Sequence, residues 1–129
     1  MILLDTHAVL WLAQVPDMLS DDARGAIASS RRQDGVAIAD KTLWELAMLV
    51  SRKRVGVRTS LRDFLQSVER YCTVLPITGA IAERAIQFTA RYPKDPTDRI
   101  IGATALIHGI PLVTQDKGIR RSKEVDCIW

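Results

Sequence analysis

The sequence predicts an α/β fold, a central and mostly parallel sheet flanked by helices, as one domain over residues 1–129. Three observations predict it. Short apolar runs of strand length alternate with longer stretches whose apolar residues recur at helical spacing. Helix starts follow the strand-like runs, and strands joined through helices pair in parallel. The 129 residues are 47% apolar and 26% charged, which supplies one core and excludes a disordered chain.

Each element has its own signal. Ile2 to Leu4 reads as a buried first strand, followed by a short helix around Ala8 to Ala13. Ser20 with Asp21 and Asp22 is a strong helix start, an acceptor side chain and then two acids in the first turn. Arg31 and Arg32 put cations at that helix's negative end, and Asp34-Gly35 turns the chain into a strand, Val36 to Ala39. Thr42 is read as opening a third helix to about Arg52, and Thr59 or Ser60 as capping a fourth with Leu61, Phe64, Leu65 and Val68 on one face. Thr73 to Ile77 is a short strand, and Thr78 caps a fifth helix to about Arg91. Asp95-Pro96 starts a sixth, with proline at the first helical position, and Gly109 stops it. Pro111 to Thr114 and Val125 to Ile128 complete the set of strands.

Composition narrows the function classes. The most apolar stretch, Ile100 to Val113, contains His108, two glycines and Pro111, and is short of the ~20 residues of a membrane span. The chain opens with no basic, apolar, small-residue pattern, so no secretory signal is expected. Cys72 and Cys127 sit in apolar company and read as buried thiols of a reducing compartment, the cytoplasm. Eighteen basic residues against fifteen acidic ones give +3, and thirteen of the eighteen are Arg, the side chain best shaped for phosphate. Surface solvation accounts for such a balance; a polyanionic partner is the sharper reading.

The carboxylates carry more information. Asp5 directly follows the first strand, and Asp116 lies just past the strand Pro111 to Thr114, so both stand at the carboxyl edge where such sheets keep their sites. Glu45 and Asp98 each lie three residues after a proposed cap, Thr42 and Asp95. A capping box accounts for either acid taken alone. Taken together, two acids close strands at one edge and two open helices beginning at that edge. Two unit charges ~6 Å apart repel by roughly 3 kcal/mol at an effective dielectric of 20. Helix N-termini offset part of that repulsion, and a divalent cation offsets more. An all-oxygen ligand set favours Mg²⁺ or Mn²⁺ over zinc, and a carboxylate-held Mg²⁺ is a common device of phosphoryl chemistry.

Four motifs then resemble one family. Met1-Ile-Leu-Leu-Asp-Thr-His-Ala-Val-Leu-Trp-Leu-Ala13 is similar to the opening of PIN-domain ribonucleases of the VapC toxin type. Thr42-Leu-Trp-Glu-Leu-Ala-Met-Leu-Val50, Asp95-Pro-Thr-Asp-Arg-Ile-Ile-Gly-Ala-Thr-Ala105 and Pro111-Leu-Val-Thr-Gln-Asp116 resemble the later motifs, in order. The resemblance implies a single PIN-like domain whose catalytic, metal-binding acids are Asp5, Glu45, Asp98 and Asp116, with Asp95 as a helix cap. It also implies an endoribonuclease using Mg²⁺ or Mn²⁺, an RNA substrate, a homodimer, and neutralisation by a VapB-type antitoxin in a type II toxin–antitoxin pair. No membrane partner is expected.

Neighbouring residues are read by the same logic. Thr6 and Thr114 adjoin proposed ligands, where a hydroxyl orients a carboxylate or satisfies local backbone. Arg99 reads as a salt-bridge partner, Trp11 and Trp44 as core or dimer-interface residues, and Gly102, Ala103 and Ala105 as small residues for close helix-to-sheet packing. Arg52, Lys53, Arg54 and Arg58 form a candidate RNA rim between the third and fourth helices, with Arg120, Arg121 and Lys123 as a second basic cluster. Two alternatives stand beside the nuclease. One is a non-catalytic RNA- or antitoxin-binding module of the same fold. The other is a phosphoacceptor or phosphatase-type domain built on Asp5 and Asp116-Lys117, although a dehalogenase-like pattern needs an Asp where His7 stands.

Overall fold

The computed structural model describes residues 1–129. The elements are β1 (Ile2–Leu4), α1 (Thr6–Gln14), α2 (Asp21–Gln33), β2 (Val36–Ala39), α3 (Asp40–Ser51), α4 (Leu61–Tyr71), β3 (Thr73–Leu75), α5 (Gly79–Ile86), α6 (Pro96–His108), β4 (Leu112–Val113), α7 (Lys117–Ser122) and β5 (Cys127–Ile128). A single 3-10 turn, Pro16–Met18, joins α1 to α2. The strands form one sheet in the order β3-β2-β1-β4-β5, and every neighbouring pair is parallel. Each strand reaches the next through at least one helix, so no hairpin, the usual source of an antiparallel pair, arises.

The two-residue period of the strands decides which layer each side chain enters. Ile2, Leu4, Val36, Ile38 and Val113 join one core with Val9, Leu10, Ile27, Leu46, Phe64 and Val68, from α1 to α4. Leu3, Ala37, Ala39 and Leu112 face the opposite layer and meet Ile81, Ala85, Ile101, Ala103 and Ile119, from α5 to α7. The central strands are buried on both faces, which is why their sequence is a continuous apolar run. No helix is long and apolar enough to cross a membrane.

The caps explain the helix boundaries. Ser20, Ser60, Thr78 and Asp95 each accept the N–H three residues on, and Gly109 ends α6 in the left-handed conformation at φ 63°. The fourth-helix cap is therefore Ser60 rather than Thr59. Four expectations need correction. The first helix starts at Thr6, not near Ala8, because Asp5 caps it. The third starts at Asp40 straight out of β2 and has no side-chain cap, so Thr42 is an interior residue and Thr42-x-x-Glu45 is not a capping box. The third strand stops at Leu75, ahead of Pro76, which has no N–H for the ladder. The fifth helix ends at Ile86, because the chain then turns to bury Phe88 and Tyr92. Helix α7 is additional. Its six residues are too few to show a period.

Candidate active site

β1 and β4 lie side by side where the strand order reverses. From β1 the chain builds outward to β2 and β3, then returns to add β4 and β5 on the other side. Open α/β sheets form their ligand crevice outside the carboxyl ends of the strands at such a switch point. Asp5 leaves β1 there, and Asp116 leaves β4.

Asp5 is only 7% exposed. Its N–H continues the sheet to the Val113 carbonyl at 3.0 Å. Its Oδ1 accepts the Thr6 N–H at 2.7 Å, and its Oδ2 accepts the Thr114 hydroxyl at 2.7 Å. Burial raises the Asp5 pKa most, the Thr114 and Thr6 hydrogen bonds act against the rise, and the Asp116 charge adds to it. Thr114 Oγ1 also accepts the Asp116 N–H at 3.0 Å, and Asp116 Oδ1 accepts the Ile119 N–H at 2.8 Å. One hydroxyl thus ties the two strand-end acids together. Thr6 differs: its hydroxyl turns away from Asp5 and lies 3.4 Å from Thr42 Oγ1, a buried link between α1 and α3.

Asp98 stands in the first turn of α6, its N–H given to the capping Asp95 at 3.0 Å. Its carboxyl is pushed up to about 7, chiefly by burial and then by the charges of Asp5, Asp95, Asp116 and Glu45. The charges of Asp5, Glu45, Asp95 and Asp116 thus all act on Asp98. Glu45 is half-buried in the second turn of α3. No Lys or Arg forms an ion pair with any of these acids. No three of these carboxylates are drawn together closely enough to hold a metal ion in this structure. All donors are oxygen and the excess charge is negative, which fits a hard divalent cation.

Two buried residues hold Asp98 in place, and the sequence did not mark them as such. Tyr92 is 1% exposed, stacks on Phe88 at 3.8 Å between ring centroids, and donates its hydroxyl to the Asp98 backbone carbonyl at 2.7 Å. Gly102 makes room for it, since a β-carbon there would overlap the Tyr92 phenol oxygen. That corrects the expectation that Gly102 serves helix-to-sheet contact. The available signal was a glycine inside a helix, which costs about 1 kcal/mol against alanine and so implies something packed against it. Arg99 makes no salt bridge either; its Nε donates to the Pro93 carbonyl at 3.0 Å and its guanidinium to the Ala85 carbonyl at 3.3 Å, stapling α6 to α5.

Arg52, Lys53, Arg54 and Arg58 are all exposed on the segment between α3 and α4. Arg54 lines a groove with His7, Leu10, Trp11 and Leu49, and Arg58 lines its continuation with Val57 and Phe64. Trp11 is partly buried against the first core, whereas Trp44 is 53% exposed beneath Lys41 Nζ, 4.2 Å from its ring, and is not a core residue. Cys72 and Cys127 are free thiols, and burial pushes each up to about 11; Cys127 is only half-buried.

Residues 2–125 match the PIN domain. The chain belongs to the PIN-domain family. Ribonuclease VapC22 of Mycobacterium tuberculosis (strain ATCC 25618 / H37Rv) is 34% identical over 119 residues, 92% of this chain and 89% of that protein. Among solved structures, VapBC2 from Rickettsia felis bound to a promoter DNA fragment shares the fold with TM-score 0.76 at 16% identity, covering 98% of this chain and 97% of that one. FitAcB from Neisseria gonorrhoeae does so with TM-score 0.72 at 21% identity, covering 98% and 96%. The all-parallel sheet with helices on both faces is thus the PIN arrangement.

Two outcomes follow from this packing. The folded Asp98 binds its proton more tightly than an unfolded Asp, whose pKa is about 3.9. Stability should therefore be greater below that range and fall as pH rises toward 7. In EDTA, the melting temperature should be higher at acid pH than at pH 8, and Asp98→Asn should shrink the difference; an unchanged pH profile in that variant would refute the assignment. Gly102→Ala should destabilise the wild type in urea, yet in a Tyr92→Ala background it should stabilise by up to about 1 kcal/mol. The same sign in both backgrounds would show that Tyr92 is not what Gly102 accommodates.

Proposed function

We propose that this PIN domain is a metal-dependent endoribonuclease and the toxin of a type II toxin–antitoxin pair, acting in the cytoplasm. The reading is supported by the charges of Asp5, Glu45 and Asp116 acting on the part-buried Asp98 near the switch point of the sheet, with no Lys or Arg ion-paired to any of these acids. Its relative VapC22 is named a ribonuclease, and its structural neighbours include toxin–antitoxin complexes. A purely binding module has no need to gather uncompensated acids.

Asp5, Asp98 and Asp116 would hold the cation, with Glu45 contributing directly or through water. When bound, Mg²⁺ or Mn²⁺ supplies a water of lowered pKa and stabilises charge on the phosphate oxygens. The protein's part is orientation. Thr114 and the Thr6 N–H fix both oxygens of Asp5, and Tyr92 with Asp95 fixes the turn that carries Asp98. In-line attack of water leaves a 5′-phosphate and a 3′-hydroxyl and does not use the ribose 2′-hydroxyl.

The VapB-type antitoxin would occupy the groove along α1. Its floor is Leu10, Trp11, Val57 and Phe64, and Arg54 and Arg58 stand at its rim, which suits an amphipathic segment. The expected homodimer would use the apolar surface formed by α5 and the segment before it, where Ile86 is 83% and Ile77 44% exposed.

Incubation with total cellular RNA should give cleavage that EDTA abolishes and millimolar Mg²⁺ or Mn²⁺ restores, with 5′-phosphate ends. Asp5→Asn, Asp98→Asn and Asp116→Asn should each lose most activity while folding normally. Asp95→Asn should lose little, since Asn caps as well as Asp. Activity persisting in excess chelator would overturn the metal mechanism. In the native host, the chain should purify with a co-encoded small protein and run as a dimer-based complex. Purification alone, with harmless overexpression, would remove the toxin role and leave the nuclease.

A further inference from the structure

We propose that the phosphate backbone of the RNA is held in the groove between α7 and β5, which opens at the end of α7 away from its capping Asp116 and lies apart from the Arg52 to Arg58 segment. The inference rests on the nuclease reading of the carboxylate crevice. The groove is open, about 900 Å³, and carries Lys117, Arg120, Arg121 and Lys123 against only Glu124 and Asp126. All four cations are exposed and none forms an ion pair. Glu124 is already engaged, since its carboxylate accepts the Thr89 N–H at 3.2 Å and the Thr89 hydroxyl at 2.9 Å. Four cations against two carboxylates leave the groove with an excess of positive charge.

Its frame is rigid. Ile119 is fully buried and anchors α7 to the second core. The Ser122 hydroxyl donates to the Ile119 carbonyl at 2.6 Å and accepts the Glu124 N–H at 3.2 Å. Lys123 takes the left-handed conformation, φ 60°, which turns the chain sharply toward β5. Asp116 both caps α7 and belongs to the crevice, so the basic row starts at the proposed site. Six helical residues span about 9 Å, inside the ~10 Å Debye length at ordinary ionic strength.

The two basic clusters differ in what surrounds them. Arg54 and Arg58 border a floor of aliphatic and aromatic side chains, a surface for a peptide. The α7 groove has only Val125 and Cys127 as apolar lining and presents charge without a hydrophobic floor. Phosphate contacts need charge and give affinity without base selectivity, which matches the second surface.

The test compares Arg120→Ser/Arg121→Ser/Lys123→Ser with Arg62→Ser/Arg70→Ser, two exposed arginines of α4, in the full chain. The probe is a fluorescein-labelled single-stranded oligoribonucleotide of mixed sequence, read by anisotropy across a salt series and by steady-state cleavage. The triple variant should raise KM on the order of tenfold with kcat nearly kept, and flatten the log–log salt slope by about 2, since each lost single-strand phosphate contact is worth about 0.7. The double variant should leave both unchanged. Wild-type RNA affinity and KM in the triple variant overturn the proposal while the nuclease reading stands. If that variant instead loses retention of the co-encoded antitoxin, the groove is a protein interface and the proposal also fails. If no RNA is cleaved but salt-dependent binding through α7 is seen, the nuclease reading fails and the groove stands.

Discussion

A buried carboxylate at the seam of a parallel sheet governs the rest of this structure. Asp5 sits where β1 and β4 part, nearly out of contact with water, and both of its oxygens are given hydrogen bonds. An ionised group in that position is costly unless charge and donors are supplied around it. Thr114 supplies one donor from β4 and the start of α1 another. The same hydroxyl accepts the N–H of Asp116, so the two strand ends are locked in register by a single side chain.

The second acid at the edge, and the third, use the same device. Asp5, Asp95 and Asp116 are all helix N-caps, for α1, α6 and α7. Each helix points its N-terminus toward the crevice, where the partial positive charge of its free N–H groups lowers the cost of collecting negative charge. Asp98 shows how incomplete that compensation is, since burial and four neighbouring acids still push it up to about 7. The fold holds the acids in place, and the helix N-termini balance only part of their charge.

Much of this was legible in the sequence. The apolar runs at Ile2, Val36 and Leu112 gave the central strands because such strands are buried on both faces. Ser20, Thr78, Asp95 and Gly109 marked helix ends because their chemistry acts over three or four residues. What escaped depended on distant partners. Thr42 looked like a cap, yet α3 runs directly out of β2, with Asp40 Oδ2 accepting the Ile77 N–H from across the sheet edge at 2.9 Å. Local backbone looked the better partner for Thr114 than for Thr6, and the pairing of β1 with β4 reverses this, giving the Thr114 hydroxyl to Asp5. Tyr92 and Gly102 lie ten residues apart and become partners only when the chain turns before α6.

The bond from Thr114 to Asp5 joins residues 109 positions apart. Because β1 is central and β4 is added nearly last, the most sequence-local part of the molecule cannot build the crevice. During synthesis the growing chain carries Asp5 from the start, but without β4 there is no neighbour to hold it and no Asp116 beside it. Contacts of such long sequence separation form late and slowly. Asp5 therefore gains its hydrogen-bonded partner and its neighbouring acid only once the strand that leads to Thr114 has docked beside β1.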